Sequence, residues 1–177
     1  MENTRSKIHF MNCGATIITF PSLTALFLVL LYSLQVHGAE TKTFTYTTNE
    51  GPLVSRAVLS PGIRPGHDLV QATRTNMTSS AEADWNDSPV TTFSQSDVTN
   101  GTGTSSGYAV RNHKNGDKTY YRFRGTFKAV GEGTSRDAVG EGTVELIGGT
   151  GKFANATGTG TFSNQGGVIK VKLTVTY

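Results

Sequence analysis

The chain has 177 residues, 36% of them hydrophobic, with 21 glycines, a single cysteine and a formal net charge of +3. One cysteine excludes a disulfide framework, and the roughly 139 residues beyond an N-terminal targeting segment suffice for one core but not for two. A pI near 9.1 invites a nucleic-acid partner, yet from Ala39 onward 14 Lys plus Arg face 12 Asp plus Glu, a net of +2 without a basic cluster. That is scattered surface charge and not a nucleic-acid footprint.

The first 38 residues read as a secretory signal. Arg5 and Lys7 form a positive start, Leu23 to Leu34 an apolar centre, and Val36-His37-Gly38 favours cleavage after Gly38. An uncleaved anchor is the alternative, because Ala15 to Val36 reaches the ~20 residues a membrane helix needs. Thr16, Thr19, Pro21 and Ser22 weaken it. Cys13 falls within the signal, so the mature chain, residues 39–177, carries no thiol and no lipid attachment site. It is expected to be secreted or periplasmic, with no membrane contact after cleavage.

Thr and Gly dominate the mature part and no helical periodicity lasts three turns, which is an all-β composition. Lys42 to Asn49 alternates with Phe44 and Tyr46 on one face, and Asn49-Glu50-Gly51-Pro52 is turn chemistry that ends it. Leu53 to Leu59 and Asp68 to Met77 follow as strands. Ala81 to Asp87 alternates as another and turns Trp85 inward. Thr91 to Val98 and Tyr108 to Asn112 are strands divided by Thr99 to Gly107, which reads as a mobile loop.

Asn115-Gly116 predicts a type I′ hairpin. From Thr119 to Lys128, Tyr121, Phe123, Gly125 and Phe127 share one face, while Tyr120, Arg122, Arg124, Thr126 and Lys128 share the other. One face is apolar and one wet, as an antiparallel sheet requires. Ala-Val-Gly-Glu-Gly-Thr occurs at Ala129 to Thr134 and again at Ala138 to Thr143, two arms of a hairpin around Ser135-Arg136-Asp137. Thr143 to Ile147 leads into Gly148 to Phe162, and Val168 to Tyr177 closes the chain with Ile169, Val171, Leu173, Val175 and Tyr177 on one face.

Three motifs are weighed and set aside. Gly149-Thr150-Gly151-Lys152-Phe153-Ala154 fits a dinucleotide turn but has no helix after it and no acidic residue 20 positions on. Gly103-Thr104-Ser105-Ser106-Gly107 fits a nucleophile elbow only as a string, since no strand-to-helix turn or Ser, acid, His order accompanies it. His67 and His113 have no partner at metal-ligand spacing and read as surface histidines, so no metal and no cofactor is expected. Arg122 and Arg124 read as solvated or paired across strands.

Gly148-Gly149-Thr150-Gly151-Lys152-Phe153 with the later Gly158 resembles the G-G-T-G-x-F segment of the allene oxide cyclase and dirigent superfamily. The strand order from Tyr120 to Tyr177 is similar to the second half of those barrels, and the chain is most similar to their exported, calycin-like members of unknown function. The resemblance implies a small antiparallel up-and-down β-barrel of about eight strands, preceded here by an N-terminal signal helix. Gly148, Gly149, Gly151 and Gly158 would then build a structural turn, with Phe153 folded back as an apolar plug and Lys152 solvated. Catalytic residues do not carry over, because Phe44 to Glu50 lacks the aromatic-His-Asp ending of dirigent chains. The expected function is non-catalytic binding of a small apolar or aromatic ligand, as a carrier or dirigent-type guide, with Tyr46, Trp85, Tyr121 and Phe123 as interior candidates. A cyclase-like isomerase, a structural domain without a cavity, and oligomer formation stay open as alternatives.

Overall fold

The computed structural model describes residues 39–130 and 137–177. The expected signal helix, with Cys13 and the cleavage position after Gly38, lies outside the described residues. So do Ser135 and Arg136 of the loop between the repeated arms.

Nine strands make one antiparallel sheet: β1 Thr41–Asn49, β2 Leu53–Leu59, β3 His67–Ser80, β4 Pro89–Thr99, β5 Thr102–Asn112, β6 Lys118–Val130, β7 Asp137–Gly149, β8 Thr157–Gln165 and β9 Val168–Thr176. The all-β antiparallel class is as expected, with nine strands in place of about eight. From β3 to β9 the chain is a meander of neighbours, and β1 lies against β9 along its whole length. A second pairing of β1, through Tyr46 to Thr48 with β3, closes the sheet into a ring. Following paired residues from Tyr46 through Val171, Phe162, Gly142, Gly125, Ser105 and Ser96 leads to Val70. Tyr46 itself pairs with Ser80, so the circuit closes with an offset of ten residues along β3. Such an offset tilts strands strongly across a ring.

Asn49 to Pro52 does not reverse the chain. Both β1 and β2 run antiparallel to β3 along the same edge, first opposite Ser80 to Thr78 and then opposite Arg74 to Leu69. The two are one long strand with an interruption. Buried Asn76 bridges the break by accepting from Gly51 N–H at 2.6 Å, and Arg74 donates to the Gly51 carbonyl at 3.1 Å. Backbone groups that the break removes from the ladder are thereby satisfied.

Three other expectations are corrected. Ala81 to Asp87 is not a strand but the turn region joining β3 to β4, with Trp85 and Asn86 N–H both bonded to the Glu82 carbonyl. Ala81 and Ala83, whose alternation suggested a strand, are exposed, whereas Trp85 is 1% exposed and does point inward. Thr99 to Gly107 is not a loop: Asn100 and Gly101, at φ of 49° and 77°, make the two-residue turn between Thr99 and Thr102, and β5 starts at once. That is the conformation expected of Asn115-Gly116, where only Gly116 is left-handed and the turn is the longer His113 to Asp117, closed by His113 N–H to the Asp117 carbonyl.

In the glycine segment, Gly148 and Gly151 have φ of 136° and 55°, and Gly151 to Phe153 is a single 3-10 turn. Phe153 is fully buried beneath it, as expected. Gly158 is not part of the turn; it lies in β8 opposite Val175, where an added Cβ would stand 3.2 Å from the Val175 Cα. Lys152 is not simply solvated, since its Nζ pairs with Asp84 at 2.6 Å.

Candidate functional site

Strand alternation sends Phe44, Tyr46, Ala109, Arg111, Thr119, Tyr121, Leu146, Leu173 and Val175 to the concave face, and all are buried. They occupy the end of the ring where β3 ends and β4 begins. Trp85 from the β3–β4 turn and Phe153 from the β7–β8 corner fold in over them, ring centroids 5.7 Å apart. The result is a solid plug in one half of the ring.

At its centre sits Arg111, 1% exposed. Its guanidinium lies 4.4 Å from the Tyr46 ring centroid, 5.0 Å from Trp85 and 5.8 Å from Tyr121. Nη1 donates to Thr78 Oγ1 at 2.6 Å and to the Trp85 carbonyl at 3.3 Å, and Nε donates to the Tyr121 hydroxyl at 3.3 Å. Among the described residues no carboxylate pairs with it. Three aromatic faces and three hydrogen bonds offset its desolvation. Burial pushes both tyrosine hydroxyls above their ordinary range, with Arg111 pulling the other way, so both stay protonated.

A directed chain of hydrogen bonds continues from Tyr121. The Asp84 carbonyl can only accept, so His113 Nδ1 donates to it at 2.7 Å, leaving Nε2 to accept from Thr119 Oγ1 at 3.0 Å. Thr119 in turn accepts from Tyr121 at 2.9 Å. His113 is 5% exposed and stacked on Phe153 at 4.2 Å, not a surface residue as expected. His67 is also buried, 3.0 Å from Asp97.

Burial is the main cause holding the His113 pKa below the ordinary histidine range, assisted by the positive charges of Arg111 and Lys152. The unfolded chain, titrating near ~6.5 at this position, binds the proton more readily than the folded one. The stability that neutral His113 contributes is therefore complete above about pH 6.5 and declines as pH falls below it. Denaturation midpoints measured between pH 8 and 5 should fall more steeply below ~6.5 for the native protein than for His113→Gln. Parallel curves for the two would contradict this account.

The other half of the concave face is built differently. Arg56, Ala72, Ser94, Gly107, Phe123 and Val144 form one row of paired residues from β2 to β7, which Gly160 of β8 continues. All of them line a cavity of about 1080 Å³. The next row up, with Ser105, Gly125, Gly142 and Phe162, lines a second space of about 890 Å³. Most inward positions in these two rows are Gly, Ser or Ala, beside Arg56, Phe123, Val144 and Phe162, so the walls leave room. Phe162 lies over two of the glycines: a Cβ on Gly125 or Gly142 would meet its ring at 2.8 or 2.6 Å. Phe123 and Phe162 meet edge to face at 6.4 Å.

The four interior candidates thus fall in two places. Tyr46, Trp85 and Tyr121 surround Arg111 in the plug, and Phe123 stands on the cavity wall. No sequence motif marks Arg111 or Phe162. Outward-facing Arg122 pairs with Glu145 across β6 and β7 at 2.6 Å, as a cross-strand partner should. No group of three or more His, Cys, Asp or Glu side chains suited to a metal occurs among the described residues, and none of their helices is long and apolar enough to cross a membrane.

No family model matches the chain, and no curated protein matches it. Among solved structures it is similar to the protein with unknown function from Clostridium acetobutylicum ATCC 824, at 10% identity and a TM-score of 0.44, over 81% of this chain and 100% of that one. A likeness at that level carries no argument about function.

Proposed function

We propose that the ring is a small exported β-barrel of the allene oxide cyclase and dirigent type, plugged at one end, which binds a small apolar or aromatic ligand in its open half without transforming it. The observation that supports this reading is the cavity of about 1080 Å³, which is of the size that holds small molecules and is walled by Phe123, Val144 and close-packed backbone. An eight-stranded ring with a strong stagger has an interior that side chains can fill or that one small ligand can occupy. Here the plug half is filled and the Gly, Ser and Ala half is not. Export rests on the signal-like N-terminus, and a carrier or dirigent-type guide is the role such a cavity suits. A cyclase would need a carboxylate on the cavity wall, and by strand alternation Asp68, at the rim, is the acid on the inward face of β3.

The reading is tested with N-phenyl-1-naphthylamine, an uncharged aromatic probe whose emission rises in apolar surroundings. The protein should bind it saturably, and Ala72→Phe, which places a ring in the middle of the lining row, should weaken binding about tenfold or more while leaving the melting temperature within a few degrees. Undiminished binding by Ala72→Phe, or none by the native chain, would overturn the proposal.

A further inference from the structure

The charges on the inner surface are one-sided, although those of the mature chain as a whole nearly balance. By strand alternation Lys42 of β1, which Glu82 engages, Arg56 of β2, Arg74 of β3 and Arg111 of β5 face inward, against Asp68 of β3. Asp68 already accepts a hydrogen bond from Ser60, and Arg74 is engaged by Glu50 at 3.0 Å. Arg56 lines the cavity, opposite Ala72 and in the row of Phe123, and has no ion pair among the described residues. Arg111 lies two inward positions beyond Gly107 along β5, its charge uncompensated by any described carboxylate. A space with a free guanidinium at its side and a buried one below it has a positive potential, which acts on whatever enters.

We infer that the ligand is an anion, an aromatic ring carrying a carboxylate or an equivalent acidic group, with the ring against Phe123 and the acid on Arg56. This rests on the ligand-binding reading above and names the chemical class that the site selects. Guanidinium suits such a group because its planar fork can give two parallel N–H donors to one carboxylate. Arg111 adds field without contact, since its protein partners hold it within the plug. Stacking on Phe123 alone would take neutral and acidic rings alike; the unmatched arginine makes the difference.

The test is displacement of bound N-phenyl-1-naphthylamine by two competitors that share a ring system, 2-naphthoate and 2-naphthalenemethanol, in low salt. The carboxylate should displace the probe at about tenfold lower concentration or better, the range of a charge-assisted hydrogen bond. In Arg56→Gln, a change at an exposed side chain, the ratio should collapse towards one. In Arg111→Met it should fall by a smaller factor. The ratio is internal to each variant, so a change in probe affinity does not enter it. Equal displacement by both competitors in the native protein, or a preference that survives Arg56→Gln, would overturn the inference while leaving ligand binding intact. Failure of the native protein to bind the probe at all would remove both together.

Discussion

Trp85→Ala is expected to destabilise the folded chain by about 3–5 kcal/mol, the range for deleting a fully buried aromatic ring, and to lower the melting temperature by some 10–20 °C. The indole packs on Phe44 at 4.7 Å, His113 at 5.1 Å and Phe153 at 5.7 Å, and it covers one side of the Arg111 guanidinium. No neighbour can follow it into the space. The rings around it are held by β1, the β5–β6 turn and the β7–β8 corner, three parts of the chain that the indole joins across the ring axis. Trp85→Phe should recover about half of the loss, since a smaller ring keeps the contact with Phe44 and gives up the reach to Arg111. Thermal melts followed by far-ultraviolet circular dichroism read both variants. A loss below about 1 kcal/mol for Trp85→Ala would mean that the plug collapses around the gap, contrary to the close packing described.

A strand that buries an apolar face is legible in the sequence. On β1, β6 and β9 the inward positions carry Phe44, Tyr121, Val171, Leu173 and Val175, so a period of two is visible and the strands fall where expected. The first half of β5 was invisible because its inward residues, Gly103, Ser105 and Gly107, face the open half of the ring. A strand that lines a cavity need not be apolar, and Gly and Ser there imitate a loop. The missed strand and the cavity thus have one cause. Arg111 was hidden for a related reason: on β5 Tyr108, 57% exposed, faces outward while the arginine faces inward, reversing the usual signal. Only the register with Thr119 and Val90 places it in the core. Asn-Glu-Gly-Pro is sound turn chemistry, yet β1 runs on into β2; what keeps the chain straight is Asn76, 25 residues away in sequence.

Arg111→Ala should cost about as much as loss of the tryptophan, roughly 3–5 kcal/mol, and comparison with Arg111→Met shows why. Alanine leaves a void between Tyr46, Trp85 and Tyr121 and removes the donors that Thr78 and the Trp85 carbonyl use. Methionine removes the same donors and the charge but fills most of the volume with a flexible thioether that packs well against aromatic rings. Replacing a buried charge by an apolar side chain of similar size is often close to neutral, because the desolvation of the ion disappears with it. Methionine should therefore recover more than half of the alanine loss. Trp85 is the only tryptophan, so its emission reports the plug directly: a red shift in Arg111→Ala, from water reaching the indole, and little shift in Arg111→Met. Equal damage from the two substitutions would mean that the charge and its hydrogen bonds, and not the filled volume, hold the closed end together. The plug could then be opened by a competing anion, and its integrity should depend on the salt present during the melt.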